Sequence, residues 1–339
     1  MNTTALQHAF RVLALCALAG SAMAAAPGES IVLDPGSGNY IITYCGSDSP
    51  NSCVLMNSTY EPATKVDPRV RSRFTLTSTW SVNYAYAVRN GAKAKQPLVT
   101  LILDPVTSIA SAMPIALRST ARADQLATML ANGQAALGSP SDWGGIELPS
   151  TLGSGIRVGW SARAGLVPGT RQLGFGYSSI DLPGLITARV TGQPVISPGF
   201  VDEGPDGDIA LQLETLQTKE YVPRYAAVPS IIVSNPFNRA ALLSSIEQQV
   251  RGWVSLGQLQ ASLFAQLDPY LQAAITAAAA GNATGSTSNT AAVRVQLRKV
   301  YSALDEALDD WTVVSDSPLI SRLAARVLDF DLAFAATHP

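Results

Sequence analysis

Four carboxylates share one stretch rich in proline and glycine, VDEGPDGDIAL, at Asp202, Glu203, Asp206 and Asp208. A turn that gathers carboxylate oxygens suits a hard cation, and calcium accepts about six to eight such ligands in a flexible geometry. On that reading Asp202, Asp206 and Asp208 are calcium ligands. The stretch is not an EF-hand, because it lacks that motif's long loop and closing glutamate. An acidic surface turn accounts for the same residues. A third chemistry is general acid and base work on a glycosidic bond, which needs two carboxylates held at a set separation.

Histidine narrows the alternatives. The chain has two, His8 near its start and His338 beside Pro339, and neither stands in a pattern that places imidazole in a folded cleft. A Ser-His-Asp arrangement, a general base poised near neutrality and a histidine-bearing zinc site all require one. The glycine- and serine-rich stretch GFGYSSIDLPG (Gly174–Gly184) is therefore read as structure. It contains neither Gly-x-Ser-x-Gly nor Gly-x-x-x-x-Gly-Lys. Phe175 and Tyr177 alternate as in a strand, Leu182-Pro183-Gly184 suits a turn, and Gly174 and Gly176 mark a bulge or a close backbone approach. Among the tryptophans, Trp143 in the loop-like SPSDWGGIELP is the candidate ligand contact. Trp80 and Trp160 fall in strand patterns and are expected in a core, and Trp311 in DDWTVV suits packing between helices as well as it suits a contact.

The compartment is read from the first residues. RVLALCALAGSAMA offers Arg11, an apolar run from Val12 to Ala19 and small residues at Ala22 and Ala24, the pattern of a secretory signal peptide cut after Ala24. Cys16 follows Leu15, where a lipid-modified cysteine would follow a small residue. Beyond the leader only Cys45 and Cys53 remain, separated by Gly-Ser-Asp-Ser-Pro-Asn-Ser. That is turn chemistry, so the two thiols meet across a short loop and are expected to be bonded in an oxidising compartment. Charged residues make up 14% and the formal net charge is −2, which favours neither nucleic acid nor an anionic membrane as partner. No later apolar run is long and clean enough to span a bilayer, so the chain is not expected to be an integral membrane protein.

Positions 74–88 carry large apolar residues on one parity, Phe74, Leu76, Trp80, Val82, Tyr84, Tyr86 and Val88. This predicts one long half-buried strand, bent once, followed by a turn at Asn90-Gly91 and an antiparallel neighbour over Pro97–Leu103. Further strands are predicted at Gly155–Ala162, Arg171–Ser179, Leu185–Gly192, Asp208–Leu216 and Val228–Asn235, and one helix at Ser119–Leu137. The stretch from Ala26 to Val70 is irregular. From Asn235 the period changes to that of amphipathic helices, with Asn235 as N-cap and Pro236 at the first helical position. The second helix carries Leu259 to Ile275, the third Val293 to Leu308 and the last opens at Ser317-Pro318, with GNATGSTSN as a flexible connection. The expected fold is two domains: an all-β antiparallel sandwich of immunoglobulin-like general architecture over 25–235, and an all-α helical bundle over 236–339.

Two resemblances accompany this reading. YAYAVRNGAKAKQPLVTLILD, VGWSA and PGTRQLGFGYSSIDLPG resemble, in that order, a β-sandwich region of uncharacterised secreted bacterial proteins. The section from RGWVSLGQLQASLFAQLDPYLQAAITAAAAGN to LRKVYSALDEAL is similar to the small helical module called FIMAH at the C-terminal end of many exported bacterial proteins. Both imply structure and export, and neither brings a catalytic residue. The functional expectation is a non-enzymatic binding or structural module of the bacterial periplasm or exterior, with a protein or glycan ligand and no cofactor unless calcium. The alternative is a carboxylate-dependent hydrolase acting on a polysaccharide.

Overall fold

The computed structural model describes residues 28–46, 53–78, 80–109, 137–200, 204–205, 207–304, 307–311 and 316–338. The expected leader and the helix predicted at 119–137 lie outside the described residues, apart from Leu137. The chain divides into two compact units, Met1–Thr64 with Pro194–Glu220, and Lys65–Gln193 with Tyr221–Pro339.

The smaller unit is built on β1 (Ser30–Asp34), β2 (Asn39–Cys45), β3 (Leu55–Glu61) and β11 (Val195–Ser197), antiparallel in that spatial order. Alternation sends Ile42, Tyr44 and Tyr60 to one face, where they are fully buried. Helix α1 (Gly207–Lys219) lays Ile209 and Leu213 into the same cluster. Phe200 meets the Tyr44 ring edge-on at 5.1 Å.

Helix α1 corrects the strand predicted at Asp208–Leu216. Ile209, Leu211 and Leu213 satisfy a period of two, but Ile209 and Leu213 also stand four apart, as on one side of a helix. Leu211, which a half-buried strand would have placed with them, is 61% exposed. Asp208 in the first turn and Lys219 in the last complement the helix dipole.

The larger unit holds a five-stranded sheet and a three-stranded one. The first is ordered β12 (Val222–Ile231), β10 (Leu182–Gly192), β6 (Leu98–Val106), β8 (Ile156–Leu166), β7 (Trp143–Pro149), and the second β4 (Pro68–Leu76), β5 (Val82–Asn90), β9 (Arg171–Ser179). All pairings are antiparallel. The long strand predicted from Phe74 is instead the hairpin β4–β5. Its register joins Phe74 to Tyr84 and Leu76 to Val82, residues of equal parity, because the turn 77–81 has an odd number of residues. Alternation thus runs through the turn unbroken and conceals it. Thr77 and Ser81 close the turn: the Thr77 amide donates to the Ser81 carbonyl at 2.8 Å, and their hydroxyls lie 2.8 Å apart. Strand β6, expected beside β5, pairs with β8 and β10 in the other sheet.

Four helices follow: α2 (Arg239–Ser255), α3 (Ala261–Ala279), α4 (Ala283–Val300) and α5 (Arg322–Thr337). Their caps differ from the predicted ones. Asn238, not Asn235, opens α2 by accepting the Ala241 amide at 3.0 Å. The expected flexible link GNATGSTSN mostly forms α4, with Asn282 accepting from the Gly285 amide. Ser321 accepts from Ala324 to open α5.

The expected sandwich followed by a separate all-α bundle is overturned. The described chain has twelve strands in three antiparallel sheets and five helices, and the C-terminal helices share one core with two of the sheets. Leu243, Ile246, Val250 and Trp253 of α2 belong to the same buried cluster as Tyr86, Trp160 and Tyr177. Phe330 of α5 meets Phe74 of β4 edge-on at 5.1 Å. An amphipathic face states that a helix must bury one side; a sheet satisfies that requirement as well as another helix does.

Candidate functional site

Of the predicted calcium ligands only Asp208 lies within the described residues. Asp202 and Asp206 lie outside them, as does Glu203. Asp208 opens α1 and belongs to its first turn. Among the described residues no group of three or more His, Cys, Asp or Glu is arranged to hold a metal ion. Trp143, expected in a loop, begins β7 and is only 7% exposed, its ring edge-on to Phe175 at 5.0 Å. Packing thus occupies the ring that sequence offered as a contact. Cys45 and Cys53 are bonded, with Cα atoms 5.0 Å apart, and close the loop between β2 and β3.

GFGYSSIDLPG forms the corner at which the chain leaves one sheet for the other. Gly174 is the extra residue where the β5–β9 register shifts, between Leu173 opposite Ala87 and Phe175 opposite Tyr86. Its φ of 103° is open to glycine and costly for other residues. The hydroxyls nearby are committed to the corner. Ser178 donates to Asn83 at 2.7 Å, and Ser179 accepts from the Asp181 amide at 3.1 Å. The Asp181 carboxylate, buried, accepts from Thr107 at 2.7 Å and from Ser108 at 2.5 Å. Asp104 is a second buried carboxylate. Burial pushes its pKa up, but donors on Ser150 and Thr151 and the charge of Arg189 outweigh this and hold it below the ordinary value.

His338 reads in sequence as a terminal residue, yet it enters an aromatic cluster. Its ring lies 4.2 Å from Phe237, 4.6 Å from Trp80 and 4.8 Å from Phe334, and its carbonyl accepts from Arg239 at 2.9 Å. No sequence pattern links these positions.

An open recess does occur in the smaller unit. A groove of about 510 Å³ is lined by Ile31, Tyr40, Asp208, Leu211, Gln212, Thr215 and Leu216. Two neighbouring faces of α1 divide the work: Ile209 and Leu213 enter the core, while Asp208, Gln212 and Thr215, at helical spacing, line the groove. Tyr40 comes from the buried face of β2, paired with Tyr60 of β3. Their ring centroids lie 6.2 Å apart.

Behind the groove a buried contact sets the end of α1. The Tyr60 hydroxyl donates to Glu220, the residue after α1, and the same carboxylate oxygen accepts the Ala63 amide at 3.0 Å. Burial, reinforced by Glu220, pushes the Tyr60 phenol well above its ordinary pKa, so it remains a donor. The groove thus offers one aromatic ring, aliphatic side chains, a carboxylate, an amide and a hydroxyl on a braced wall. Such a set can stack against a ring and exchange hydrogen bonds with it.

Comparison with known proteins returns no match: no family model, no curated protein and no solved structure aligns with the chain. The functional reading therefore rests on this geometry. Among the described residues no helix is long and apolar enough to cross a membrane.

Proposed function

We propose that the chain is an exported binding protein that holds a glycan in the groove of its smaller unit. The observation that carries this reading is the groove itself, where Tyr40 stands with Asp208, Gln212 and Thr215 around about 510 Å³. A sugar ring presents an apolar face and a rim of hydroxyls, which these side chains match. Export is supported by the leader-like first residues and by the Cys45–Cys53 bond, since such bonds persist in oxidising compartments.

Calorimetric titration of the mature chain with neutral cello-, xylo- and chito-oligosaccharides tests the reading. At least one series should bind, and Tyr40→Ala and Gln212→Ala should each weaken it about tenfold, which corresponds to about 1.4 kcal/mol. Absence of binding to all three series, or binding that both variants leave intact, would count against the groove.

A further inference from the structure

The register places three arginines from distant parts of the sequence in one row. Arg69 of β4 is opposite Arg89 of β5, and Arg89 is opposite Arg171 of β9. Neighbouring strands lie about 4.8 Å apart, so the three side chains leave one face of the three-stranded sheet side by side. Alternation puts Arg71 and Arg73 of β4 on that face as well. Across from them on β5 stand Ala87 and Ala85, which leave the long arginine stems room. The strand residues of this face include no carboxylate.

Like charges directly opposite one another weaken a sheet, so the row stands at a cost that a bound anion would offset. Among the described residues Arg69, Arg73, Arg89 and Arg171 have no carboxylate partner. The described ion pairs lie on the helices, between Arg251 and Glu247 or Asp268, and between Arg294 and Asp329. Arg171 is steadied by the Asp309 carbonyl, to which it donates at 2.8 Å. Arg71 lies over the Trp311 ring, 5.4 Å from its centroid. Arg71 also donates to the Ala307 carbonyl at 3.4 Å, so the segment 307–311 reaches this face at both β4 and β9 and leaves Arg69 and Arg89 as the open end of the row.

We propose that this face binds a linear acidic polysaccharide, its arginines pairing with successive carboxylates or sulfates. The row of Arg69, Arg89 and Arg171 sets charges about 4.8 Å apart across strands. A polymer with regularly spaced anions meets such an array at several points, and guanidinium forks suit carboxylate and sulfate oxygens. Single-stranded nucleic acid would call for outward aromatic rings on which bases stack. A membrane surface would call for an apolar face to insert. The strand positions of this face supply no aromatic ring, the Trp311 ring beside them is stacked on Arg71, and Leu173 is their one large aliphatic residue. The proposal concerns the larger unit and is independent of the groove.

The test uses the full mature chain against immobilised heparin and polygalacturonate, with dextran, duplex DNA and phosphatidylglycerol vesicles as comparisons. Both acidic polysaccharides should retain the protein and dextran should not. Three or more ionic contacts predict an affinity loss of about tenfold or more between about 50 and 200 mM salt. The double variant Arg69→Gln, Arg89→Gln should weaken binding at least tenfold while keeping or raising Tm, and Arg89→Lys should preserve most of it. Tyr40→Ala should leave this binding unchanged. Failure of both acidic polysaccharides to retain the chain at the lower salt, or indifference of retention to the double variant, overturns the proposal. Retention on DNA or vesicles alone overturns it too, by assigning the row to another polyanion.

Discussion

Tyr60 and Glu220 stand 160 positions apart in sequence and share a buried hydrogen bond, phenol to carboxylate. The bond ties β3 to the residue where α1 ends, and so joins the strand side and the helix side of the groove. Tyr60→Phe removes the donor and leaves the carboxylate with the Ala63 amide alone. Loss of a hydrogen bond to a buried charged group should cost about 1.5 to 3 kcal/mol. The measurement is hydrogen exchange across β1–β3 and α1, where protection should fall, with the larger unit unchanged. The same phenol makes stability pH-dependent at the alkaline end. Its folded pKa is raised above the ordinary value of 10.0, so its contribution is complete below about pH 10 and declines as pH climbs beyond it. Tyr60→Phe should remove that part of the alkaline decline.

Asp331 of α5 carries a different pH signature. Its side chain is fully buried, both carboxylate oxygens lack a hydrogen-bond partner, and burial raises its pKa well above 3.8. The folded state therefore favours the protonated acid. Stability from this group is complete below about pH 4 and is lost as pH rises through the folded pKa. Asp331→Asn should match the wild type near the acid end and be more stable at about pH 8, by about 1 to 3 kcal/mol. Urea unfolding at a series of pH values reads the difference, and parallel curves at every pH would show that the carboxylate is charged in the fold.

The packing of α2 on the sheet can be tested with one methyl group. A Cβ on Gly184 of β10 would come within 2.0 Å of the Gln249 amide nitrogen and 2.6 Å of the Ser230 Cβ, whereas one on Gly199 meets nothing within 4 Å. Gly184→Ala should destabilise the larger unit by about 1 to 3 kcal/mol, and Gly199→Ala should have little effect. Equal unfolding midpoints for the two variants would be inconsistent with Gln249 of α2 and Ser230 of β12 closing over Gly184.

Reduction of Cys45–Cys53 should act on the smaller unit alone. The bond spans eight positions of sequence, and closing so short a loop contributes about 2 to 3 kcal/mol through the entropy of the unfolded chain. Cys45→Ala with Cys53→Ala should hasten proteolysis within Ser30–Glu61 and spare the helices α2–α5. Uniform acceleration along the chain would show that the two units unfold together.

Some of this protein is legible residue by residue. The turn residues between Cys45 and Cys53 announce their bond, and GFGYSSIDLPG announces a strand followed by a corner, with β9 falling on the predicted Arg171–Ser179. The groove is hidden, because Tyr40 lies in a stretch without clear period and the residues of α1 also satisfy the period of a strand. The calcium reading draws on proximity in sequence; within the described residues only Asp208 can be placed, and it lines the groove. RVRSR, residues 69–73, is the one available trace of the basic face, but the net charge of −2 averages it away.

What the sequence determined by itself was local: which residues alternate, where helices bury a side, which cysteines can reach each other. These properties depend on backbone geometry over a few residues, and hydrophobic period reports them directly. Only the tertiary structure decided which sheet each strand joined, that α2–α5 share a core with β4–β10 and β12, and that Arg69, Arg89 and Arg171 stand in one row. Apolar burial is non-directional, so a buried face constrains the amount of surface to be covered and leaves the covering element open. Strand partners were chosen by packing and register across the whole unit, and no local pattern carries that choice.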